Sequence, residues 1–538
     1  MKTKGFSMRT NDQSNIIQSS YLGIEFGSTR IKACLTAADG QVLAIGIYDW
    51  ENKLVDGHWS YSLDDVRAGL AGSYNDLANH VELEYGSRPT GFAGIGVSAM
   101  MHGLIALDKQ DELLVPFRTW RDTYTGEAAA ELTELLQQNM PLRWSTSHLY
   151  QGILDGEDYI ASLGSFTTLA GWVHFQLTGE KVLGVGDASG MFPIDSATVD
   201  YDADRLAKAD ELFAKKTQIA PLKTLLPRVL KAGENAGHLT EAGARLLDPT
   251  GTLKPGVPLC PPEGDAGTGM VATNAVRQRT GNVSAGTSIF SMAVLEHPLS
   301  HLHTEIDLVT TPSGDPVAMV HCNNGASELG VWVDMLAEVA EAFGVTLSSK
   351  DEAYKTILGQ AFKASPDAGG VLAYGFVSGE PVVGAADGRP VVARAPEARL
   401  TLPNLVRAQL YSVFAALASG SKILEGEGVA IDFMNGHGGI FKTEGVAQQV
   451  LADALETPIR VSDSAGEGGA WGIALLAAYL DAEPGESLPD FLDNKIFAQV
   501  SVTTALPNAE GVAGFKDFLE RFTAALPIQD TASSVIAP

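Results

Sequence analysis

The sequence predicts an α/β protein of two domains, and three observations predict it. The chain has 538 residues, too many for one ordinary hydrophobic core. Its composition, 45% apolar with 57 glycines, is that of a folded and turn-rich chain. One pattern also occurs twice. Residues 21–37, YLGIEFGSTRIKACLTA, alternate apolar residues on both sides of Gly27-Ser28-Thr29. Residues 282–294 repeat this around Ala285-Gly286, with Thr287 and Ser288 next. Each reads as a β-hairpin whose turn offers N–H groups and hydroxyls to phosphate oxygens. Either alone is equally an ordinary surface hairpin; the pair points to a duplicated domain with a phosphate-gripping turn in each half.

Charge narrows the partners. A net charge of -28 repels nucleic acid and anionic membrane surfaces. A phosphate site in such a chain must be made attractive locally, by backbone amides, Mg²⁺ and a few basic side chains. Cys34, Cys260 and Cys322 are far apart and lack metal-ligand spacing, so buried thiols in a reducing cytoplasm are expected. Residues 1–20 have no signal-peptide pattern and read as a disordered lead-in. No apolar run is long enough to span a bilayer; GIALLAAYL, residues 472–480, is short.

In chain order, GFAGIGVSAMM (residues 91–101) is a strand candidate that ends at His102 and Gly103. Ligand groups gather past strand ends in α/β proteins, although a single histidine there is often structural. Arg118, Trp120, Arg121 and Asp122 follow as a polar cluster. Trp120 reads as a sugar platform or, equally, as a half-buried surface ring. Leu169, Trp172, Val173 and Leu177 mark one face of a helix over 167–178 that Gly179 stops. A strand and turn then carry Asp187, and residues 198–252 alternate short amphipathic helices with turns.

The stretch from Cys260 to Phe290 organises the chain. Asp265 is the candidate base: it follows the apolar piece GVPLC, and the small residues after it suit a helix start where N–H groups approach a ligand. Beyond it, GGVLAYGFVSGEPVVG reads as glycine-rich strand and loop. Val406, Leu410, Val413 and Leu417 mark a core helix that begins near Pro403. Gly436, His437, Gly438 and Gly439 lie between a strand end and a helix carrying Val446, Val450, Leu451, Ala454 and Leu455. Bare backbone there would let a flat ring such as adenine lie close. The tail after Asp481 is expected to be irregular and to fray.

Together these pieces resemble the FGGY family of carbohydrate kinases. The resemblance runs from about Tyr21 to about Leu480 and rests on motifs in the family's order. LGIEFGSTRIKA is similar to its first phosphate motif, SAMMHG to the sugar-site motif and DASGMF to a mid-domain motif. EGDAGTGMVATNAV is similar to the segment with the catalytic aspartate, SAGTS to the second phosphate motif, and GHGGIFKTEGVAQQVLADAL to the adenosine motif. The resemblance implies the two-domain fold shared by actin, Hsp70 chaperones and hexokinase, with a mixed sheet and helices on both faces in each domain. It places the sugar site and base in residues 21–272, nucleotide binding in 273–484 and an extension in 485–538. It implies ATP and Mg²⁺ as cofactors and a sugar as substrate, with a homodimer left open.

By the same resemblance Asp265 accepts the proton of the sugar hydroxyl that attacks the γ-phosphate. Met101, His102, Gly103, Trp120, Asp122 and Asp265 would line the sugar site. Gly27, Ser28 and Thr29 would contact phosphate or its metal shell, and Gly286, Thr287 and Ser288 the outer phosphates. Gly436, Gly438 and Gly439 would floor the adenine site, and closure of the two domains would exclude water. Three positions depart from the family's pattern. Glu25 replaces the usual aspartate and reaches about 1.5 Å further, leaving direct or water-mediated metal contact open. Glu380 is followed by Pro381-Val382-Val383, and Arg121 stands between Trp120 and Asp122. The implied activity is phosphorylation of the terminal hydroxyl of a ketopentose, with D-xylulose placed ahead of L-ribulose on SAMMHG. A catalytically weak sugar or nucleotide sensor is the alternative of another class, and an Hsp70-like ATPase module a third.

Overall fold

The computed structural model describes residues 15–443, 445–462 and 468–536. The chain forms two compact units. The first takes the described residues up to Val276, then Leu308–Pro316 and those of 466–499. The second takes Arg277–Asp307, the described residues of 317–465, and those from Val500 onward.

The sheet of the first unit contains β1 (Tyr21–Phe26), β2 (Arg30–Thr36), β3 (Val42–Asp49), β4 (Gly94–Ala99) and β5 (Glu263–Gly264), in the order β5-β4-β1-β2-β3. β1, β2 and β3 form an antiparallel meander, while β4 runs parallel to β1 and β5 parallel to β4. Phe26 pairs with Ala99 and Ala99 with Gly264, so the chain leaves β1, β4 and β5 at one sheet edge. β4 is buried along its whole length because helices cover both faces of the sheet. Successive strand residues face opposite sides. On one side, a Cβ on Gly23 would lie 2.1 Å from Ala470 O of helix Gly468–Ala478. On the other, a Cβ on Gly46 would lie 2.1 Å from Ser73 O of helix Leu63–Tyr85. Ser62 caps that second helix by accepting from Asp65 N–H, and Gly86 ends it at φ 81°.

The second unit repeats the arrangement. β6 (Thr280–Ala285), β7 (Ile289–Val294), β8 (Pro316–Cys322), β9 (Phe433–His437), β10 (Ile459–Ser462) and β11 (Val502–Ala505) stand in the order β8-β7-β6-β9-β10-β11. β6, β7 and β8 form a meander and β9 runs parallel to β6. The orders β4-β1-β2-β3 and β9-β6-β7-β8 are the same topology, so the duplication read from the two hairpins is present in the folded chain. Ser284 pairs with His437, which brings the exits of β6 and β9 to one edge. Helix Leu402–Gly426 buries Val406, Leu410, Val413 and Leu417 as expected, with Thr401 as its cap.

Three expectations are corrected. Segment 468–499, assigned from the sequence mostly to the nucleotide domain, belongs to the first unit, because the helix is buried from Gly469 to Ala478 on β1 and β4. The tail is ordered: helix Ala509–Ala524 buries Phe515, Phe518, Leu519 and Phe522 along one stripe. Phe515 meets Tyr411 edge-on at 5.0 Å and Phe522 stacks on Tyr374 at 4.5 Å. Of the lead-in expected to be disordered, residues 15–18 are helical with Ile17 in the core, and residues 1–14 lie outside the described residues.

Candidate active site

Asp265 is the first residue of helix Asp265–Ala272, one position past β5. Its side chain is open to water yet ringed by protein, and Oδ1 accepts a hydrogen bond from Met101 N–H at 3.1 Å. Desolvation by the surrounding protein pushes its pKa up. The N–H groups of Met101, Ala266 and Asp265 itself, with the charge of Arg143, oppose that rise. The helix start adds a favourable field for the anion. A carboxylate so held is reachable and fixed in direction.

Acidic groups cluster around it. Glu25, half-buried at the end of β1, is raised to about 7, first by burial and then by the charge of Asp265. Lys32 and the N–H groups of Ala470 and Gly469 counter this, the Ala470 contact being 3.2 Å to Oε2. Deeper, Glu263 is 1% exposed and is raised to about 8 by burial and by Asp187. It accepts from Asp187 N–H at 2.9 Å and Gly186 N–H at 3.3 Å. Asp187 is fully buried and raised to about 7 by burial and Asp265. Its Oδ2 accepts from Thr168 Oγ1 at 2.6 Å, and Oδ1 has no hydrogen-bond partner among the described residues. Burial therefore favours the protonated form of Glu263.

The turn after β1 is fastened from behind. Trp50 Nε1 donates to Gly27 O at 2.7 Å, Tyr61 Oη to Ser28 O at 2.6 Å and Trp50 N–H to Thr29 O at 3.1 Å. Trp50 and Tyr61 stack at 4.1 Å, so the two rings act as one buttress. With its carbonyls held, the turn leaves the Ser28 and Thr29 side chains exposed. Gly27 N–H closes the hairpin on Arg30 O at 3.0 Å, so it is not one of the free donors the sequence reading expected. The turn after β6 is built the same way. Gly286 N–H donates to Ser288 O at 3.0 Å, while Ala326 and Gly325 N–H each hold a carbonyl, of Gly286 and Thr287, at 2.8 Å. Gly286 and Thr287 are exposed and Ser288 half-exposed.

The loop after β4 has an unusual backbone: His102 and Gly103 are both left-handed, at φ 72° and 79°. His102 is 6% exposed, stacks on Trp144 at 6.2 Å and approaches Gly190 O through Nδ1 at 3.2 Å. Gly103 N–H donates to Arg143 O at 3.0 Å. Asp122 is buried and committed: Oδ1 accepts from Trp59 N–H at 3.0 Å and Oδ2 lies 3.2 Å from His58 Nδ1. Its visible work is to anchor the strand His58–Ser60. Trp120 is 39% exposed, and Arg121 stacks over Trp59 at 4.1 Å. Behind this loop Arg118 is 3% exposed and pairs with Glu157 and Tyr124, a buried charge whose loss of partner would cost about 3–5 kcal/mol.

In the second unit Gly438 and Gly439 are exposed after β9, whereas Gly436 is buried against the Phe441 ring. Gly438 has φ 113°, and a Cβ there would lie 2.3 Å from Ala285 O, so the β6 and β9 exits touch only because it is glycine. Glu380 is fully buried and accepts from Asn324 N–H at 3.0 Å, Asn324 Nδ2 at 3.1 Å and Asn323 N–H at 3.3 Å. It latches the end of β8, and Pro381–Val383 is a 3₁₀ turn beside it.

Sequence reading missed Arg143, Glu263 and Gly190, and it gave Asp187 no role. Glu263 carried a signal, a second acid two residues before Asp265, and Gly190 stood in the DASGMF run. Arg143 and Gly190 are brought in by tertiary folding.

Family comparisons accord with this geometry. Models of the N-terminal and C-terminal domains of the FGGY family of carbohydrate kinases match residues 20–271 and 281–480. A protein named xylulose kinase from Haemophilus influenzae is 22% identical over 521 residues, covering 93% of this chain and 98% of its own. The structure of a ligand-bound xylulose kinase from Lactobacillus acidophilus superposes with a TM-score of 0.76 at 17% identity, covering 96% of this chain and 99% of that one. A gluconate kinase from the same organism gives 0.75 at 17% identity with the same two coverages. The two-domain actin- and hexokinase-like fold, the duplicated sheet and the matched domains lead to one conclusion: the chain belongs to the FGGY family of carbohydrate kinases and is a sugar kinase that uses ATP.

Proposed function

We propose that this kinase transfers the γ-phosphoryl group of ATP to the terminal hydroxyl of an open-chain ketopentose, D-xylulose in the first place, with Mg²⁺. The observation that carries the reading is Asp265, a water-accessible carboxyl group fixed by Met101 N–H at a helix start. It accepts the hydroxyl proton as the sugar oxygen bonds to the γ-phosphorus, and the bond from phosphorus to the β,γ-bridging oxygen breaks to release ADP. General-base help of this kind is worth roughly 10²–10⁴ in rate. Met101, His102 and Gly103 position the sugar, with Trp120 as an apolar platform. Asp122 acts by holding that region in place. Ser28, Thr29, Thr287 and Ser288 present hydroxyls to phosphate, and Gly438 and Gly439 present bare backbone to the base.

The residues suit a divalent cation. Burial and the neighbouring negative charge of Asp265 raise Glu25 to about 7, and a cation beside it would relieve that repulsion. Because its oxygens already accept from Ala470 and Gly469 N–H, Glu25 would hold the ion through water. When bound, the ion neutralises the phosphate charge. The buried thiols of Cys34, Cys260 and Cys322 support a reducing, cytoplasmic setting.

D-xylulose is favoured by SAMMHG and by the name of the Haemophilus relative. The equal match to a gluconate kinase means that fold similarity does not choose the sugar. Coupled ADP release over D-xylulose, L-ribulose, glycerol and gluconate tests the reading. The highest kcat/KM is expected with D-xylulose; a preference for L-ribulose would replace it, and no turnover with any would refute the pentulose assignment.

A further inference from the structure

We infer that His301, His303 and Glu427 form a binding site for a divalent transition-metal cation of the zinc class. Their ligand atoms all lie within 4.8 Å of one another. Glu427 Oε1 is 2.8 Å from His301 Nδ1 and 2.7 Å from His303 Nε2. Tetrahedral zinc with bonds of about 2.0–2.2 Å sets its ligand atoms about 3.3 Å apart, so a small outward movement admits the ion. It would displace the proton now shared between each ring nitrogen and the carboxylate. Two imidazoles and one carboxylate select zinc-class ions over Mg²⁺, which prefers oxygen ligands alone.

The surroundings are those of a ligand set. Glu427 Oε2 accepts from Ser300 N–H at 2.7 Å, which orients the carboxylate and leaves Oε1 toward the rings. Glu427 is the C-cap of helix Leu402–Gly426, where the helix dipole adds negative potential. Three of the chain's 11 histidines fall at positions 297, 301 and 303. Three protein ligands leave a fourth tetrahedral position open for water.

The site is separate from the phosphate turn. β7 begins three residues past Gly286 and ends at Val294, about 17 Å further on at the strand rise of about 3.3 Å per residue. Residues 297–303 follow that far end, and Glu427 precedes β9, whose other end carries Gly438. Metal here would therefore tie the loop after β7 to the end of the long helix without entering the catalytic site.

The full chain, stripped with a chelator, should bind one equivalent of Co²⁺ with the visible absorption of a tetrahedral ion, and Zn²⁺ should displace it. His303→Ala and the double variant His301→Ala/His303→Ala should lose at least about tenfold in affinity, and Glu427→Gln should lose it while keeping the side-chain volume. Unchanged far-ultraviolet circular dichroism and unfolding midpoint would show that the variants fold. Failure of the folded wild-type chain to give a saturable one-equivalent signal, or the same signal from the folded double variant, would overturn the assignment.

Discussion

At the level of single residues, Asp265 is useful because of what holds it. Met101 N–H fixes one oxygen, Arg143 supplies positive charge, and the acids behind it differ in state. The folded pKa of Glu263 is raised from the ordinary 4.5 to about 8, so as pH rises the unfolded chain releases this proton first. Its contribution to stability is full below about pH 4.5 and is lost as pH rises to about 8. Glu263→Gln removes that titration: its urea midpoint relative to wild type should rise between those two pH values, and a constant ratio would contradict the protonated state. Gly190 gives a second prediction. A Cβ there would lie 2.7 Å from His102 Nδ1, so Gly190→Ala should push the imidazole from Trp144. Overpacking costs about 1–3 kcal/mol, and the KM for sugar should rise while that for ATP stays within about twofold. The place of Asp265 at a helix start was legible in the sequence because it depends on what precedes and follows it. Gly190 stood in the DASGMF run without a role of its own, and Arg143 was not legible, because no local pattern marks a residue brought in from a distant loop.

At the level of elements, the two hairpins were readable from alternation and glycine turns, and their strands fall where expected. What alternation does not encode is the fastening of the turns. Both glycine N–H groups close their own hairpin, and the carbonyls are held from behind by Trp50 and Tyr61 in one turn and by residues 325 and 326 in the other. In the proposed site the serine and threonine hydroxyls, more than the glycine N–H groups, are left to meet phosphate. Gly438 joins two elements: its φ of 113° and its approach to Ala285 O forbid a side chain. The strain of about 1–3 kcal/mol for Gly438→Ala should open the β6 and β9 exits. Nucleotide affinity, read by calorimetry, should fall at least about tenfold, the factor that 1.4 kcal/mol represents. Unchanged affinity would remove this edge from the nucleotide site.

At the level of the whole molecule, duplication was visible in the sequence, but the path of the chain between the units was not. Helix Gly468–Ala478 lies in sequence between two stretches of the second unit and belongs to the first in space. Its composition marks it only as buried, since it is apolar all round. The glycines that admit it, Gly23 and Gly96, lie hundreds of residues earlier, where a Cβ would meet Ala470 O at 2.1 Å and Ile473 O at 2.6 Å. Similarly, the phenylalanine stripe of the tail has meaning only beside Tyr411 and Tyr374. Hydrogen exchange should show this helix opening in concert with β1 and β4; exchange in step with β9 and β10 would place it in the wrong cooperative unit. Gly23→Ala should speed exchange in the helix and β1 together.

The central claim is that Asp265 is the proton acceptor for a sugar hydroxyl. Sugar-dependent ADP release by Asp265→Asn, measured beside nucleotide affinity, tests it most directly. In that variant kcat should be lower by roughly 10²–10⁴ with nucleotide affinity within about twofold of wild type. Activity retained near the wild-type rate would contradict it.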